Sequence, residues 1–513
     1  MNSALLEEKL PAARIDLRLI VAGVLLALVT AASTLFGNVA VPAAPVLLIG
    51  LLWVVWKVPA RLTVFALIFL GLILECRNEQ PAVGLWKSPL FFLGDILLAK
   101  ANDWTGIRPL IFTGVDLVVL YVSFLLVWRR ATGSRIDVAA QVQTARIMAL
   151  AVSITLVGTL WIWVYGLARG GNFGNALLQV WKLVYVPVMF FFCQAALRGP
   201  ADHPALARVM IGAAMYRSLM AAWVHFAIWM PAGVDPRFGT THGDSMLFAS
   251  AAALIVAMFN ERVGAKIRGS GPALMACLAV IVLGMYANNR RIVWIELAAI
   301  LLTFYLMSPW TPLKRTVART LIIALPLISF YLIAGWNRPT GAFAPVGLVR
   351  SIADSKSDPS TMWRDLENMN LIVNILDHPV LGTGFGHEYR ENYKLPDISA
   401  SFMLYKLVPH NSLLGFLAFA GLFGFTLMWC AVAIGILLAA RSYRFTSRPL
   451  DRAMALWVIG VLIAYMNSIY GDMGQGSWTA VFTVCPALAV AGKLAVATGA
   501  WPARRAAPVS AIP

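Results

Sequence analysis

Runs of apolar residues, each about as long as the roughly 20 residues a membrane-spanning helix needs, recur along the chain. They lie near 17–36, 38–56, 61–74, 110–128, 147–168, 177–197, 207–231, 245–259, 272–288, 291–307, 319–336, 410–440, 453–470 and 478–498. The pattern predicts an all-α fold, a polytopic transmembrane helix bundle of about 12–14 spans; the short runs 61–74 and 245–259 set the lower figure. Two polar connections interrupt the runs, at 75–109 and 337–409. The second holds seven Lys/Arg against eight Asp/Glu, with Trp, Tyr and Phe among them. Asp358-Pro359 is a helix-start signal, and Leu366, Met369, Val373 and Leu376 then recur at helical spacing. Arg364, Asp365, Glu367 and Asn374 take the other side, so a short amphipathic helix is expected on the membrane's outer surface. The chain divides into an N-terminal transmembrane bundle (1–336), a large outer loop (337–409), and C-terminal transmembrane helices with a short tail (410–513).

Composition narrows the class. Of the 513 residues, 60% are hydrophobic and 13% charged, and the mean hydropathy is +0.76. A water-soluble enzyme or DNA-binding regulator does not carry that balance. The net charge of +17 has its source in alternate short loops. These carry Lys57/Arg61, Arg129/Arg130/Arg135/Arg146, Arg198/Arg208, Arg262/Lys266/Arg268, Lys314/Arg315/Arg319 and Arg441/Arg444/Arg448/Arg452. Lys and Arg gather in cytoplasmic loops, so both termini and the tail with Arg504 and Arg505 are assigned to the cytoplasm, and the two long connections to the outside. The first run follows Glu7, Glu8, Lys9 and Arg14 and reads as an uncleaved span. No basic stripe interleaved with aromatics is present, so no nucleic acid partner is expected. Cys76, Cys193, Cys277, Cys430 and Cys485 are scattered, with neither a CxxC nor a Cys/His pair, and read as small buried hydrophobes.

Candidate chemistry concentrates at the outer face. Asn288-Asn289-Arg290-Arg291 is a tight turn between two spans, and a basic pair there runs against the positive-inside rule; the plainer explanation is a snorkelling anchor. Arg364 lies on the amphipathic helix. His410 opens a long span in Pro409-His410-Asn411-Ser412, where Asn411 or Ser412 can cap the helix. Imidazole at such a position suits a general base. Gly415, Ala418, Gly421 and Gly424 follow at steps of three, a spacing that permits close helix packing. Gly382-Thr383-Gly384-Phe385-Gly386 reads as a turn closing the amphipathic helix. Asp116, Lys182, Arg217 and Glu296 fall inside spans, where they either pair with one another or, for Arg217 and Lys182, attract an anionic headgroup.

His410-Asn411, nine residues, then Gly421-Leu422-Phe423-Gly424 resembles the O-antigen ligase pattern of His, then Asn, Ser or Gln, nine residues, Gly, two residues, then Gly, Thr or Tyr. The supporting order is similar too. Arg290, in Asn289-Arg290-Arg291, takes the place of the family's outer-face Ser-Arg-Gly. Arg364 precedes the His378-Pro379 to Gly384 segment as the family's loop arginine does. The resemblance covers roughly residues 280–430. It implies a membrane glycosyltransferase of the ligase and polymerase superfamily, in the bacterial inner membrane with its site facing the periplasm. The donor would be a glycan on undecaprenyl pyrophosphate, and the acceptor a hydroxyl of lipid A core or of a growing O-antigen or exopolysaccharide. His410 would be catalytic; Arg290, Arg364, Arg291 and Arg217 would serve the pyrophosphate; Asn411, Gly421 and Gly424 would shape the motif. Neither ATP, cofactor nor metal is expected, since no Asp/Glu cluster in ligand spacing accompanies these residues.

Two other readings compete. A polysaccharide or lipid-linked sugar transporter or flippase suits the span count and the intramembrane charges, but no paired half-repeat with broken helices is visible. A scaffold leaves the outer arginines and His410 without a role.

Overall fold

The computed structural model describes residues 40–76, 88, 90–105, 111–134, 136, 141–233, 240–264, 270–310, 312–338, 340–343, 346–347, 349–350, 359–399, 404–471 and 477–502. The run at 17–36, the loop residues Arg77, Lys87, Arg108, Arg135, Lys266 and Arg268, the helix-start residue Asp358, and Arg504 and Arg505 lie outside the described residues.

The remaining apolar runs all form helices, with ends shifted by a few residues. They are α1 (Ala40–Lys57), α2 (Ala60–Ile73), α5 (Gly114–Ala131), α6 (Arg146–Ala168), α7 (Phe173–Ala196), α8 (His203–Trp223), α9 (Gly243–Asn260), α10 (Ser270–Asn288), α11 (Arg291–Met307), α12 (Pro312–Gly335), α14 (Ser412–Phe445), α15 (Pro449–Gly471) and α16 (Trp478–Ala497). The amphipathic helix is α13 (Pro359–Asp377). The 75–109 connection adds two short helices that its sequence did not announce, α3 (Phe91–Leu98) and α4 (Ala101–Thr105). Among the described residues no strand forms.

Eight of these helices, α6, α7, α9, α10, α12, α14, α15 and α16, are long and apolar enough to cross a membrane. At 14 and 17 residues, α2 and α11 fall short of that length. On α12 large apolar side chains face outward almost everywhere, with Ile322 72%, Phe330 73% and Ile333 76% exposed. Such a surface is stable against lipid and not against water. The chain is a multi-pass membrane protein.

Two compact units divide the chain. The first takes residues 1–63 and 121–139. Within it, Arg129 Nη2 donates to the carbonyls of Val55, Trp56 and Val58 at 3.3, 2.6 and 3.0 Å. The guanidinium thereby satisfies carbonyls that the end of α1 leaves open.

The second unit takes residues 64–120 and 140–513. Its core is α9, α15 and α16, which bury most of their length. Small residues make that possible: Ala249, Ala251, Ala252 and Ala253 on α9, and Ala487, Ala489, Ala491 and Ala495 on α16, are all buried. Around this core, α14 packs along α6, α15 and α16, while α11 packs on α9 and α15, and α13 lies against α14.

Candidate functional site

The site grows from the way α13 is turned. Its buried face is Trp363, Glu367, Asn370, Leu371 and Asn374, at steps of three and four. Met362, Met369, Ile372 and Leu376 point outward, each at least 46% exposed. The amphipathic reading is therefore right in its period, but the polar side is not a solvated face. It is the face packed on the protein, and only Asp365 of the polar set is exposed. The reason is backbone satisfaction. Asn370 Oδ1 accepts from the amides of Asn392 and Tyr393, both at 2.7 Å, and its Nδ2 donates to the Tyr393 carbonyl at 2.8 Å. Asn374 does the same for Arg390, accepting from its amide at 2.9 Å and donating to its carbonyl at 2.8 Å. Two side-chain amides thus replace a partner strand for the loop segment that passes over α13.

One turn earlier the same face meets His410. Glu367 is fully buried. Its Oε2 accepts the backbone N–H of His410 at 3.0 Å, and its Oε1 lies 3.4 Å from His410 Nδ1. The Trp363 ring stands edge-on to the imidazole with centroids 5.0 Å apart, and is itself fixed by Nε1 donating to the Pro396 carbonyl at 3.1 Å. The His410 side chain keeps 16% of its surface open. Burial and the carboxylates of Glu367 and Glu391 push the nearby Tyr389 phenol up, so it stays a neutral phenol. Asn411 caps α14 as its type suggests, accepting from the Leu414 amide at 3.2 Å.

Gly421 does something other than helix packing. Gly421 has φ 60° and ψ −177°, which breaks α14; only glycine occupies that region readily. Residues 379–384 fill the break. The amides of Leu422 and Phe423 donate to the carbonyls of Pro379 and Val380 at 2.8 and 3.0 Å, and those of Thr383 and Gly384 donate to Ala418 and Phe419 at 3.1 and 2.7 Å. A Cβ on Gly421 would overlap the Val380 carbonyl, and one on Gly382 would overlap the backbone of Phe419. The Gly-rich segment is thus more than the turn after α13: it docks into α14. Gly424 lies against Ile162 of α6, where an added Cβ would stand 2.7 Å from Cδ1. Gln179 of α7 locks the far end, accepting from the Gly386 amide at 2.6 Å and donating to the Leu407 carbonyl at 2.7 Å.

The arginines arrive from two other elements. Asn288 is fully buried and accepts from the Thr240 amide and hydroxyl at 3.0 and 3.1 Å. Asn289 takes a left-handed φ of 51°, a conformation asparagine tolerates better than most residues. The two asparagines shape the turn and leave Arg290, half-buried, and Arg291, exposed, at the start of α11. Arg364 leans from α13 to the end of α15, where its Nη1 donates to the Gly471 carbonyl at 2.7 Å. A Cβ on Gly471 would stand 2.8 Å from Ile292 Cδ1. The Arg364 fork therefore reaches the same helix end that the first turn of α11 packs on. One end of the bundle gathers Arg364, the Arg290–Arg291 turn and, through Glu367, His410.

Arg217 is otherwise engaged. It is 1% exposed, with Nε donating to Asp244 Oδ1 at 2.9 Å and Nη2 reaching Asp244 Oδ2 and Glu75 Oε1, each at 2.5 Å. Two buried carboxylates occupy it, so the geometry does not support the expected headgroup role; it ties α8 to α9 and to the end of α2. Two more of the intramembrane charges have contacts of their own. Asp116 accepts from Tyr185 Oη at 2.5 Å and from the Thr113 amide at 2.7 Å, and Lys182 Nζ lies 5.6 Å from the ring centres of Trp181 and Trp478.

Glu367 falls on the polar side of α13 in the sequence pattern, and Gln179 lies in an apolar run with no motif to mark it. The signal for Glu367 was present in the spacing Trp363, Glu367, Asn370, Asn374, one narrow stripe of aromatic and hydrogen-bonding groups.

Residues 275–429 match the family described as O-Antigen ligase. The matched stretch runs from α10 through the break in α14 and holds Arg290, Arg291, Arg364, His410, Gly421 and Gly424, but not Arg217. No curated protein matches the chain.

Proposed function

We propose that the chain is a membrane glycosyltransferase of the O-antigen ligase-like superfamily, whose model matches residues 275–429, and that it transfers a glycan from undecaprenyl pyrophosphate to an acceptor hydroxyl at the periplasmic face of the bacterial inner membrane. The observation that carries this reading is the gathering of a half-exposed guanidinium fork and an accessible histidine on adjoining parts of one bundle end, within the matched stretch.

The chemistry follows from the residue types. The acceptor oxygen attacks the anomeric carbon as the bond from that carbon to the pyrophosphate oxygen breaks. His410 takes the hydroxyl proton, a contribution of typically about 10²–10⁴-fold. The bonding pair leaves with the lipid pyrophosphate, whose charge Arg290 and Arg364 stabilise. Arg364 spends one of its five N–H donors on Gly471 and presents the rest, and a guanidinium fork matches phosphate oxygens in pairs. Attack opposite the leaving group inverts the anomeric configuration. The energy is already stored in the donor, so the reaction calls for neither ATP nor metal. Arg291, more exposed than Arg290, is a third guanidinium for the same anion; Arg217 is left out of the set by its buried carboxylates.

The acceptor is lipid A core if the chain is a ligase, or the growing O-antigen or exopolysaccharide if it is a polymerase. Chain length of the lipid-linked pool in a strain lacking the gene separates them. Long polymer stranded on undecaprenyl pyrophosphate is the ligase outcome, and single repeat units are the polymerase outcome. An unchanged pool overturns the transferase reading and returns the chain to the transporter or scaffold reading.

A further inference from the structure

Glu367 has no part in the mechanism above, yet both of its oxygens face the residue on which that mechanism turns. A carboxylate on a membrane-surface helix has water available on the outward side; this one is turned inward and fully buried. Its two oxygens are divided between two groups of one residue, the His410 backbone N–H at 3.0 Å and His410 Nδ1 at 3.4 Å. We propose that Glu367 is a positioning residue for His410: it holds Nδ1 in the protonated state and so reserves the lone pair on Nε2 for the acceptor hydroxyl.

The argument is one of donors and acceptors. An ionised carboxylate only accepts. Facing it, Nδ1 must carry its hydrogen, and a neutral imidazole then has its lone pair on Nε2. The bond to the backbone N–H fixes where the ring is rooted, and Trp363, edge-on at 5.0 Å and anchored to Pro396, limits how the ring can rotate. When the acceptor proton arrives on Nε2, the imidazolium forms beside a negative charge that is already in place, which lowers the cost of making it. At 3.4 Å the Nδ1 contact is longer than the bond to the backbone N–H, which is therefore the firmer anchor. Arg364 and Glu367 sit three residues apart, so one turn of α13 serves both the leaving group and the base.

This proposal rests on His410 being the base, and the test separates the two. Full-length protein in lipid nanodiscs, labelled with ¹⁵N-histidine, is compared as wild type, His410→Ala and Glu367→Gln, with lipid-linked glycan as donor; His410→Ala identifies the His410 resonances. The wild type is expected to show His410 as the Nδ1–H tautomer. In glutamine, with its oxygen placed on the backbone N–H, the NH₂ group takes the position that faces Nδ1, where it donates and does not accept. Glu367→Gln is expected to turn His410 toward the Nε2–H tautomer and to lower kcat by about 10²–10⁴-fold, with the donor KM within about twofold and the melting temperature held.

A purely structural Glu367 would lower the melting temperature and leave the tautomer and the kcat of the folded fraction unchanged. That result overturns the proposal, as does wild-type turnover in Glu367→Gln when His410→Ala is dead. An Nε2–H tautomer in the wild type overturns it even if the variant fails to fold. Wild-type turnover in His410→Ala removes the base assignment itself, and Glu367 falls with it.

Discussion

The carbonyl of Val380 occupies the space in which a side chain on Gly421 would begin. A residue of the motif after His410 and a residue of the large outer loop are thus fitted to each other through backbone alone. The break in α14 opens a set of amides and carbonyls, and the loop supplies the partners. Span and loop fold as one piece, which is how His410 on one and Arg364 on the segment leading to the other come to lie at the same bundle end.

Gly421→Ala is expected to be among the most damaging small substitutions in the chain. The strained conformation alone costs about 1–3 kcal/mol for a non-glycine residue, and the clash with Val380 adds to it. Thermal melting of the detergent-solubilised variant should show a clearly lowered midpoint or loss of folded protein. An unchanged midpoint would mean that α14 is continuous.

Gln179→Leu removes two buried hydrogen bonds and leaves the Gly386 amide and Leu407 carbonyl unpartnered, a cost of about 1–3 kcal/mol for each group so stranded. The effect should be local. Hydrogen exchange in 386–407 is expected to speed up while α9, α15 and α16 keep their protection. Uniformly faster exchange would contradict a local lock.

Arg217→Met leaves Glu75 and Asp244 buried without their cation. Breaking a buried pair from one side costs about 3–5 kcal/mol, so the variant is expected to express poorly or to melt early. Arg290→Met and Arg364→Met, at partly exposed positions, should melt near the wild type while transfer is lost. Normal stability in Arg217→Met together with lost transfer would return Arg217 to the phosphate set.

Arg364→Lys keeps the charge and loses the fork. If the arginine binds a pyrophosphate, transfer should fall by about tenfold or more with the fold intact. Wild-type transfer rates would reduce Arg364 to a tether on Gly471.

Much of this molecule was legible in its sequence, because lipid imposes one rule that shows plainly: every span must be a long apolar helix. Apart from α3, α4 and α13, the helices appear where the apolar runs are, and α13 appears at the period of Leu366, Met369, Val373 and Leu376. What periodicity could not give was the direction in which α13 faces. Against water, Glu367, Asn370 and Asn374 would turn outward; here the two asparagines turn in to partner the backbone of the loop at 390–393, and Glu367 turns in to the backbone N–H of His410. The break at Gly421 was hidden for a similar reason. Glycines at steps of three read equally as a packing stripe, and only the loop docked into α14 distinguishes the two. Arg217 looked available because its partners Glu75 and Asp244 are remote in sequence and come together only through the packing of α8 and α9.

His410→Ala tests the central claim most directly. Expressed in a strain lacking the native gene, the variant should accumulate in the membrane at wild-type levels, deliver no glycan to the acceptor, and leave the glycan on undecaprenyl pyrophosphate. Normal glycan output from a well-expressed His410→Ala protein would contradict the account.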